Sequence, residues 1–191
     1  GKTRIRIRAK LRNLKWSGGL EILRIGAPSA AQMLSRSLMA LVLMKIVTAC
    51  GTVALAAYGL GLRFHMLALM PAFALGNAAA TMVGQNLGAG LPDRAAASAW
   101  KAGRYNAALM TAIAVVFVVW ARPLVGMFQP TPAVLDHGAA CLRIIAYGYG
   151  CYAFGMVMIS AFNGAGDTLT PTRVNLGCYW LFQLPLAWVL A

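Results

Sequence analysis

The sequence predicts an all-α membrane protein, a polytopic bundle of about five transmembrane helices. Of its 191 residues, 60% are apolar and only 11% are charged, whereas soluble globular chains average about 45–50% and about 25%. The mean hydropathy is +0.69. The apolar residues also fall into runs of about 20, the length that crosses a bilayer as a helix. Because backbone polar groups in hydrocarbon must pair within the chain, we expect these runs to be helical.

Five apolar runs are the predicted spans. The first opens with Pro28 in its first turn, where a proline is compatible with a helix. The second is long enough to tilt or to extend past the membrane. Short connections between the runs, at 88–93, 122–137 and 163–173, carry the glycine, proline and polar residues that are typical of turns. The predicted spans are 26–50, 53–87, 99–120, 139–162 and 174–191, the last one truncated.

The basic residues predict the orientation. Residues 1–24 carry eight Lys or Arg and one acid, so we interpret them as a basic cytoplasmic linker that leads into a transmembrane unit at 25–191. Outside the spans, about 12 basic residues fall on the side of this arm and two on the other. The positive-inside rule therefore predicts a multi-pass protein of the cell (inner) membrane with this arm in the cytoplasm. Nucleic-acid binding is not predicted, because the arm has no aromatic interleaving beyond Trp16.

Ionisable residues inside the predicted spans are candidates for function, because each is costly without a partner or a cavity. Arg36 lies near the midplane, too deep to reach the interface easily. His65 is a candidate proton relay, with ordinary packing as the alternative. We expect Lys45, Arg63 and Arg143 to snorkel toward the interface. The acids, in contrast, all fall in loops or at helix ends, which leaves the spans without a carboxylate: Glu21, Asp93, Asp136 and Asp167.

Several polar, aromatic and methionine side chains are candidates for lining a substrate cavity. Two of them share one face of the first helix, and three lie at spacings of three and four in the fourth. Aromatic rings hold organic cations, and methionine adapts to varied shapes, although plain helix packing is the alternative for each. No signature of a hydrolase, a nucleotide-binding loop or a metal site is present, so no enzyme is predicted. The cavity candidates are Gln32, Arg36, Tyr149, Tyr152, Met156 and Gln183.

Four segments together point to one family. They are ALAAYGL at 54–60, MVGQNLGAG at 82–90, FNGAGDTLTPT at 162–172 and WLFQLPLA at 180–187. In order and spacing they resemble the MATE (multidrug and toxic compound extrusion) transporters over roughly residues 20–191, and the last segment is similar to the fifth helix of that family's C-terminal lobe. The residues that we assign to the family's structural motifs are Gly84, Gln85, Gly88, Gly90, Gly164, Gly166, Asp167 and Pro171.

The resemblance implies a two-lobe transporter of which this chain is part of the C-terminal lobe. The absence of an initiator Met and an end inside an apolar run are also what we expect of a piece of a longer protein. The resemblance implies export of mostly cationic organic compounds in exchange for protons or sodium ions by alternating access. It implies no cofactor. The expected partners are the lipid bilayer, small organic substrates and the missing N-terminal lobe.

The coupling-ion site is expected in that missing lobe. Some sodium-coupled members have a carboxylate in the fourth helix of this lobe, and the matching position here is near Tyr152. Asp167 matches the family motif, but we interpret it as a loop and helix-cap residue. Two alternatives stay open. One is a flippase for lipids or lipid-linked saccharides, in which buried Arg36 and Arg63 meet phosphate, and the other is a channel or structural membrane subunit.

Overall fold

A computed structural model describes residues 16–128 and 130–190, so the basic arm predicted at 1–15 lies outside the described residues. The described chain is helical, which confirms the predicted all-α membrane bundle. Eight α-helices and one π-helical stretch, called here the π segment, follow in order. They are α1 (Trp16–Ala49), α2 (Thr52–Gly88), α3 (Pro92–Val119), α4 (Ala121–Gly126), α5 (Pro132–Tyr147), α6 (Tyr149–Gly164), α7 (Leu169–Leu176), the π segment (Gly177–Gln183) and α8 (Leu184–Leu190).

Three of these helices are long and apolar enough to cross a membrane, and α5 with α6 makes a fourth if the bent pair counts as one span. The prediction of one uninterrupted helix at 139–162 is therefore wrong. The chain bends by 52° between α5 and α6. At this break α3 approaches the start of α6 so closely that a Cβ on Gly150 would lie 2.8 Å from the Thr111 hydroxyl oxygen. A glycine permits that approach.

Several predicted helix boundaries are also wrong. The first helix begins at Trp16, so residues 16–24 of the predicted linker and lead-in are helical, whereas the span within it, Gly26–Ala49, agrees with the predicted 26–50. Prolines at the first helical position start α3 and α5 earlier than the hydropathy indicated, because proline fits there without losing a hydrogen bond. Short α4 occupies part of the predicted connection at 122–137.

The fifth predicted span differs most from its expectation. It begins at Leu169 and not at residue 174, and the π segment interrupts it. Neither α7 nor α8 is long enough to count as a span. Hydropathy cannot reveal a π segment, because the wider turn changes the hydrogen-bond register without changing the composition.

The helices pack in two groups. In the first, α2, α3, α5 and α6 form a four-helix bundle. In the second, α1 packs along α7 and the π segment, which we call the α1–α7 pair. The Thr172 hydroxyl, which donates to the carbonyl oxygen of Thr168 in its own helix, also lies 3.1 Å from the carbonyl oxygen of Pro28, and the Trp180 indole donates to Ser35 Oγ. The earlier residue of α1 contacts the earlier residue of the partner segment, and the later residue contacts the later one. The two segments of the pair are therefore parallel. The bundle core includes Phe64, Leu69, Met110, Phe117, Leu142 and Tyr149.

Glycines allow α2 and α6 to touch at the end where α2 connects to α3 and α6 to α7. A Cβ on Gly84 would lie 3.0 Å from the carbonyl oxygen of Gly164. A Cβ on Gly164 would lie 2.3 Å from the carbonyl oxygen of Ala80. Gly90 and Gly166, in the two connections at this end, have φ of 72° and 84°, a conformation that favours glycine. The family-motif glycines thus set both the helix contact and the turns beside it.

Candidate functional site

Polar and aromatic side chains from four elements meet inside the membrane-spanning part of the fold. His65 Nδ1 of α2 lies 3.2 Å from the hydroxyl of Tyr149 on α6. The His65 ring also lies 6.0 Å from the Tyr152 ring, centroid to centroid. Arg36 of α1 and Tyr179 of the π segment lie within electrostatic range of the Tyr152 hydroxyl. We call these five residues the polar cluster.

The polar cluster lies at mid-depth. Arg36 and His65 are each about 20 Å along the helix from the turn that joins α1 to α2, at about 1.5 Å per residue. They therefore occupy the same level on consecutive spans. Ionisable groups at this depth are stable only against a partner or a cavity, which makes the cluster the candidate functional site of the described chain.

The break between α5 and α6 positions the two tyrosines. Tyr149 is the first residue of α6 and is only 1% exposed. Its ring packs in the bundle core, 5.9 Å from the Phe117 ring. Tyr152, about one turn later, is 41% exposed. One tyrosine thus anchors the cluster to the bundle, while the other faces outward, where a molecule can reach it.

The α1–α7 pair contributes buried polar groups that lack partners. Gln32 is 9% exposed and Asn175 is 6% exposed. Gln32 Nε2, Arg36 Nε and Asn175 Nδ2 are buried and have no hydrogen-bond partner in the described part of the chain. Such groups are costly unless something accepts from them. Gln32 and Arg36 were expected in a cavity because of their shared helix face.

Two residues at this site were missed by the sequence analysis. Asn175 is a polar residue in an otherwise apolar run, and that signal could have been used. Tyr179 could not have been placed, because its direction depends on the π segment. Three expected cavity residues, in contrast, are not in the cluster, and one of them is Gln32, described above. Met156 is buried in the bundle core, and Gln183 is exposed at the end of the π segment.

The structure places Asp167 one residue before the N-cap of α7, which is Thr168. Asp167 lies in the connection before α7, and its Oδ1 accepts a hydrogen bond of 3.0 Å from the Thr170 backbone N–H. Hydrogen bonds from the Thr170 side chain and backbone hold the pKa of this carboxyl below its usual value. Of the other motif residues at this end, Gln85 and Gly88 are exposed and Pro171 is buried. The Asp167 side chain therefore stabilises the backbone at the start of α7.

The remaining basic residues of the spans lie away from the cluster. Arg63 is exposed, with its guanidinium 5.8 Å from the Phe128 ring. The expectation that Arg63 snorkels to the interface stays a prediction, whereas the buried Arg63 of the flippase alternative is not found, because the helix turns it toward the connection after α4. Arg143 donates from Nε to the carbonyl oxygen of Val118, 3.2 Å away, near the end of α3.

No carboxylate of the described side chains belongs to the polar cluster. Asp93 lies in the first turn of α3, and Asp167 precedes α7. Asp136 pairs with Arg122 at the surface. The net charge of the cluster is therefore positive, since an arginine stays protonated in proteins.

Comparison with known proteins places these features in a family. The MatE family model matches residues 28–189. The chain is 27% identical over 92% of its length to a probable multidrug resistance protein NorM of Thermotoga maritima. It is 27% identical over 90% to an FAD transporter of Shewanella oneidensis, and 26% identical over 92% to the multidrug resistance protein MdtK of Edwardsiella ictaluri. It covers only 37–38% of the length of these relatives.

Proposed function

The chain belongs to the MatE family, whose members are transporters and not enzymes, and from this premise we propose that it forms one lobe of a secondary active multidrug efflux transporter. The polar cluster is the observation that carries the proposal. It combines a positive charge, a histidine and three tyrosines at mid-depth, between the four-helix bundle and the α1–α7 pair. Substrate sites of secondary transporters lie at this depth, near interrupted helices.

Two interrupted elements next to the cluster support alternating access. The break between α5 and α6 immediately precedes Tyr149, and the π segment contains Tyr179. Helix breaks and π turns lower the cost of bending. A movement of the α1–α7 pair against the bundle would therefore change the separation of Arg36 and Tyr179 from His65 and Tyr149. A transporter requires such a link between its conformation and the geometry of its binding site.

Antiport with protons or sodium ions is the proposed driving reaction. His65 is the candidate proton relay of this lobe, because it contacts a tyrosine hydroxyl at mid-depth. The described spans offer no carboxylate at the cluster for a sodium ion. We therefore place the main coupling-ion site in the second lobe, which would pair with this chain in the complete transporter and close the cavity.

The proposed substrates are small organic compounds, and the names of two relatives include multidrug resistance while a third is called an FAD transporter. The tyrosine rings support the binding of organic cations. The counter-charge for such cations would come from the second lobe, since the described part of the cluster is positive.

The proposed orientation, with the N-terminal arm in the cytoplasm of the inner membrane, depends on that arm. In the described helices, five basic residues lie toward the end with the α2–α3 connection and four toward the opposite end, an excess of one on the side of the arm. The five are Arg24, Arg94, Lys101, Arg104 and Arg173, and the four are Lys45, Arg63, Arg122 and Arg143.

The test is efflux of a cationic dye, such as ethidium, from proteoliposomes that contain the protein expressed from its complete reading frame. A proton gradient and a sodium gradient are imposed and collapsed separately. We expect efflux with one gradient and none without it. Absence of efflux with either gradient, from protein shown to be folded and inserted, would contradict multidrug export and favour the flippase alternative.

A further inference from the structure

We propose that Gln32, Arg36 and Asn175 form a binding site for an oxyanion, a carboxylate or a phosphate. This inference rests on the proposed transport function and adds compounds with an anionic group to its substrates. The ordinary expectation for this fold was mostly cationic compounds. In this lobe, the unpaired donors and the positive charge of the site favour an anionic group instead.

The first argument is the kind of atom that lacks a partner. Arg36 Nε, Gln32 Nε2 and Asn175 Nδ2 are all nitrogens, and all are buried without an acceptor in the described chain. Arginine has donors only, so Arg36 requires an acceptor. The two amides can each present N–H groups beside it. One ligand that carries several acceptor oxygens would satisfy all three donors.

The second argument is position. The hydrogen bonds from Thr172 to Pro28 and from Trp180 to Ser35 fix the register of the α1–α7 pair. Gln32 lies one turn after Pro28, and Asn175 lies about one turn after Thr172, on the helix face that meets α1. The two amides therefore occupy one level of this seam, between the two fixed contacts. Arg36 follows Gln32 by one turn on the same face of α1.

The third argument is charge. The described side chains provide no carboxylate to neutralise Arg36 within the span. A guanidinium left without an anion in the membrane is strongly destabilising. Its planar fork of N–H groups binds carboxylate or phosphate through two parallel hydrogen bonds. An oxyanion therefore supplies both the missing charge and the missing acceptors.

The neighbouring aromatic rings indicate what carries the oxyanion. Tyr152 lies within electrostatic range of Arg36 and Tyr179 and is 41% exposed. A flat aromatic body can pack on these rings while its anionic group reaches Arg36. We therefore expect the oxyanion to belong to a transported aromatic compound. The other source of the same chemistry is the phosphate of an anionic phospholipid.

The experiment compares two xanthene dyes of opposite charge. Carboxyfluorescein is anionic, and tetramethylrhodamine ethyl ester is cationic. Binding to the purified complete protein in detergent is measured by fluorescence polarisation. Arg36→Gln should weaken carboxyfluorescein binding by at least about tenfold, and Gln32→Met or Asn175→Leu by about threefold or more. Binding of the cationic dye should stay the same or improve in the Arg36→Gln protein.

Two controls keep the result interpretable. Arg104→Gln removes an exposed arginine of α3 and should leave both affinities unchanged. Arg36→Lys keeps the charge without the planar fork and should recover only part of the affinity. Thermal unfolding of each variant shows that the loss of binding is not a loss of folding.

A second experiment, in lipid vesicles, distinguishes the two sources of the oxyanion. The wild-type protein and Arg36→Gln are reconstituted in phosphatidylcholine vesicles with and without phosphatidylglycerol. In one outcome, phosphatidylglycerol stabilises the wild-type protein but not Arg36→Gln, and carboxyfluorescein does not bind. That outcome supports the oxyanion site and assigns it to a lipid phosphate. Equal affinity of wild type and Arg36→Gln for carboxyfluorescein, with equal lipid stabilisation, overturns the inference. Ethidium efflux by the wild type tests the proposed transport function separately.

Discussion

Gly84 of α2 and Gly164 of α6 are in direct contact, with the position of a Gly84 Cβ only 3.0 Å from the Gly164 carbonyl oxygen. Gly164 is the tighter of the two, since its Cβ would meet the backbone of Ala80 at 2.3–2.8 Å. Backbone atoms cannot relieve such a clash by a change of rotamer, as a side chain can. We therefore expect Gly164→Ala to destabilise the protein by about 1–3 kcal/mol or more, measured by thermal unfolding in detergent.

Gly155 provides the matched control on the same helix. A Cβ there would have no atom within 4 Å, and alanine favours a helix over glycine by about 1 kcal/mol. Gly155→Ala should therefore leave the melting temperature unchanged or raise it. If Gly164→Ala were as stable as Gly155→Ala, α2 and α6 would not be in contact as described.

Asn106 of α3 allows a second stability prediction. It is fully buried and donates from Nδ2 to the carbonyl oxygen of Ala153 on α6, at 3.0 Å. Asn106→Asp replaces this donor with an acceptor and introduces a carboxyl into the core. We expect a loss of at least about 2 kcal/mol in the free energy of unfolding. Asn163→Asp, at the exposed end of α6, is the control and should have little effect. A small effect of Asn106→Asp would mean that water reaches this position.

The sequence predicts the class of fold better than it predicts the site. Runs of apolar residues suffice for the spans because hydropathy and length decide which segments enter a bilayer. Those same runs hide the break at Gly148 and the π segment, because neither changes the hydropathy of the run. At the break, the close approach of Thr111 to Gly150 is a contact between helices that only the fold reveals. Arg36, His65, Tyr149 and Tyr152 were identified because polar residues in a span are costly. Tyr179 was not, because it reaches the cluster only through the π segment.

Asp167 makes the stability of the α6–α7 connection depend on pH. Hydrogen bonds from Thr170 lower the pKa of this carboxyl in the folded protein relative to its ordinary value of 3.8. The folded state thus favours the carboxylate. Its stabilising effect is complete above the unfolded pKa and is lost as the pH falls through the lower, folded pKa.

The measurement is the melting temperature as a function of pH, from neutral to strongly acidic. Asp167→Ala should lower the melting temperature at neutral pH and should make no difference at the acid end. Thr170→Val removes the side-chain hydrogen bond but keeps the backbone N–H, so it should give an intermediate curve. A constant difference between wild type and Asp167→Ala at every pH would show that the carboxylate has no role in this connection.

The contact between His65 and Tyr149 leads to the prediction about coupling. If His65 relays protons, His65→Gln should lower proton-driven ethidium efflux by at least about tenfold. The affinity for the dye should change by less than about twofold, so that the effect is on turnover and not on binding. Tyr149→Phe removes only the hydroxyl that His65 contacts at 3.2 Å, and should shift the pH dependence of efflux without abolishing it. His137→Gln and Tyr105→Phe change exposed residues of the same types and should have neither effect. Normal proton-driven efflux by His65→Gln would restrict His65 to packing against Tyr149 and place every coupling proton in the second lobe.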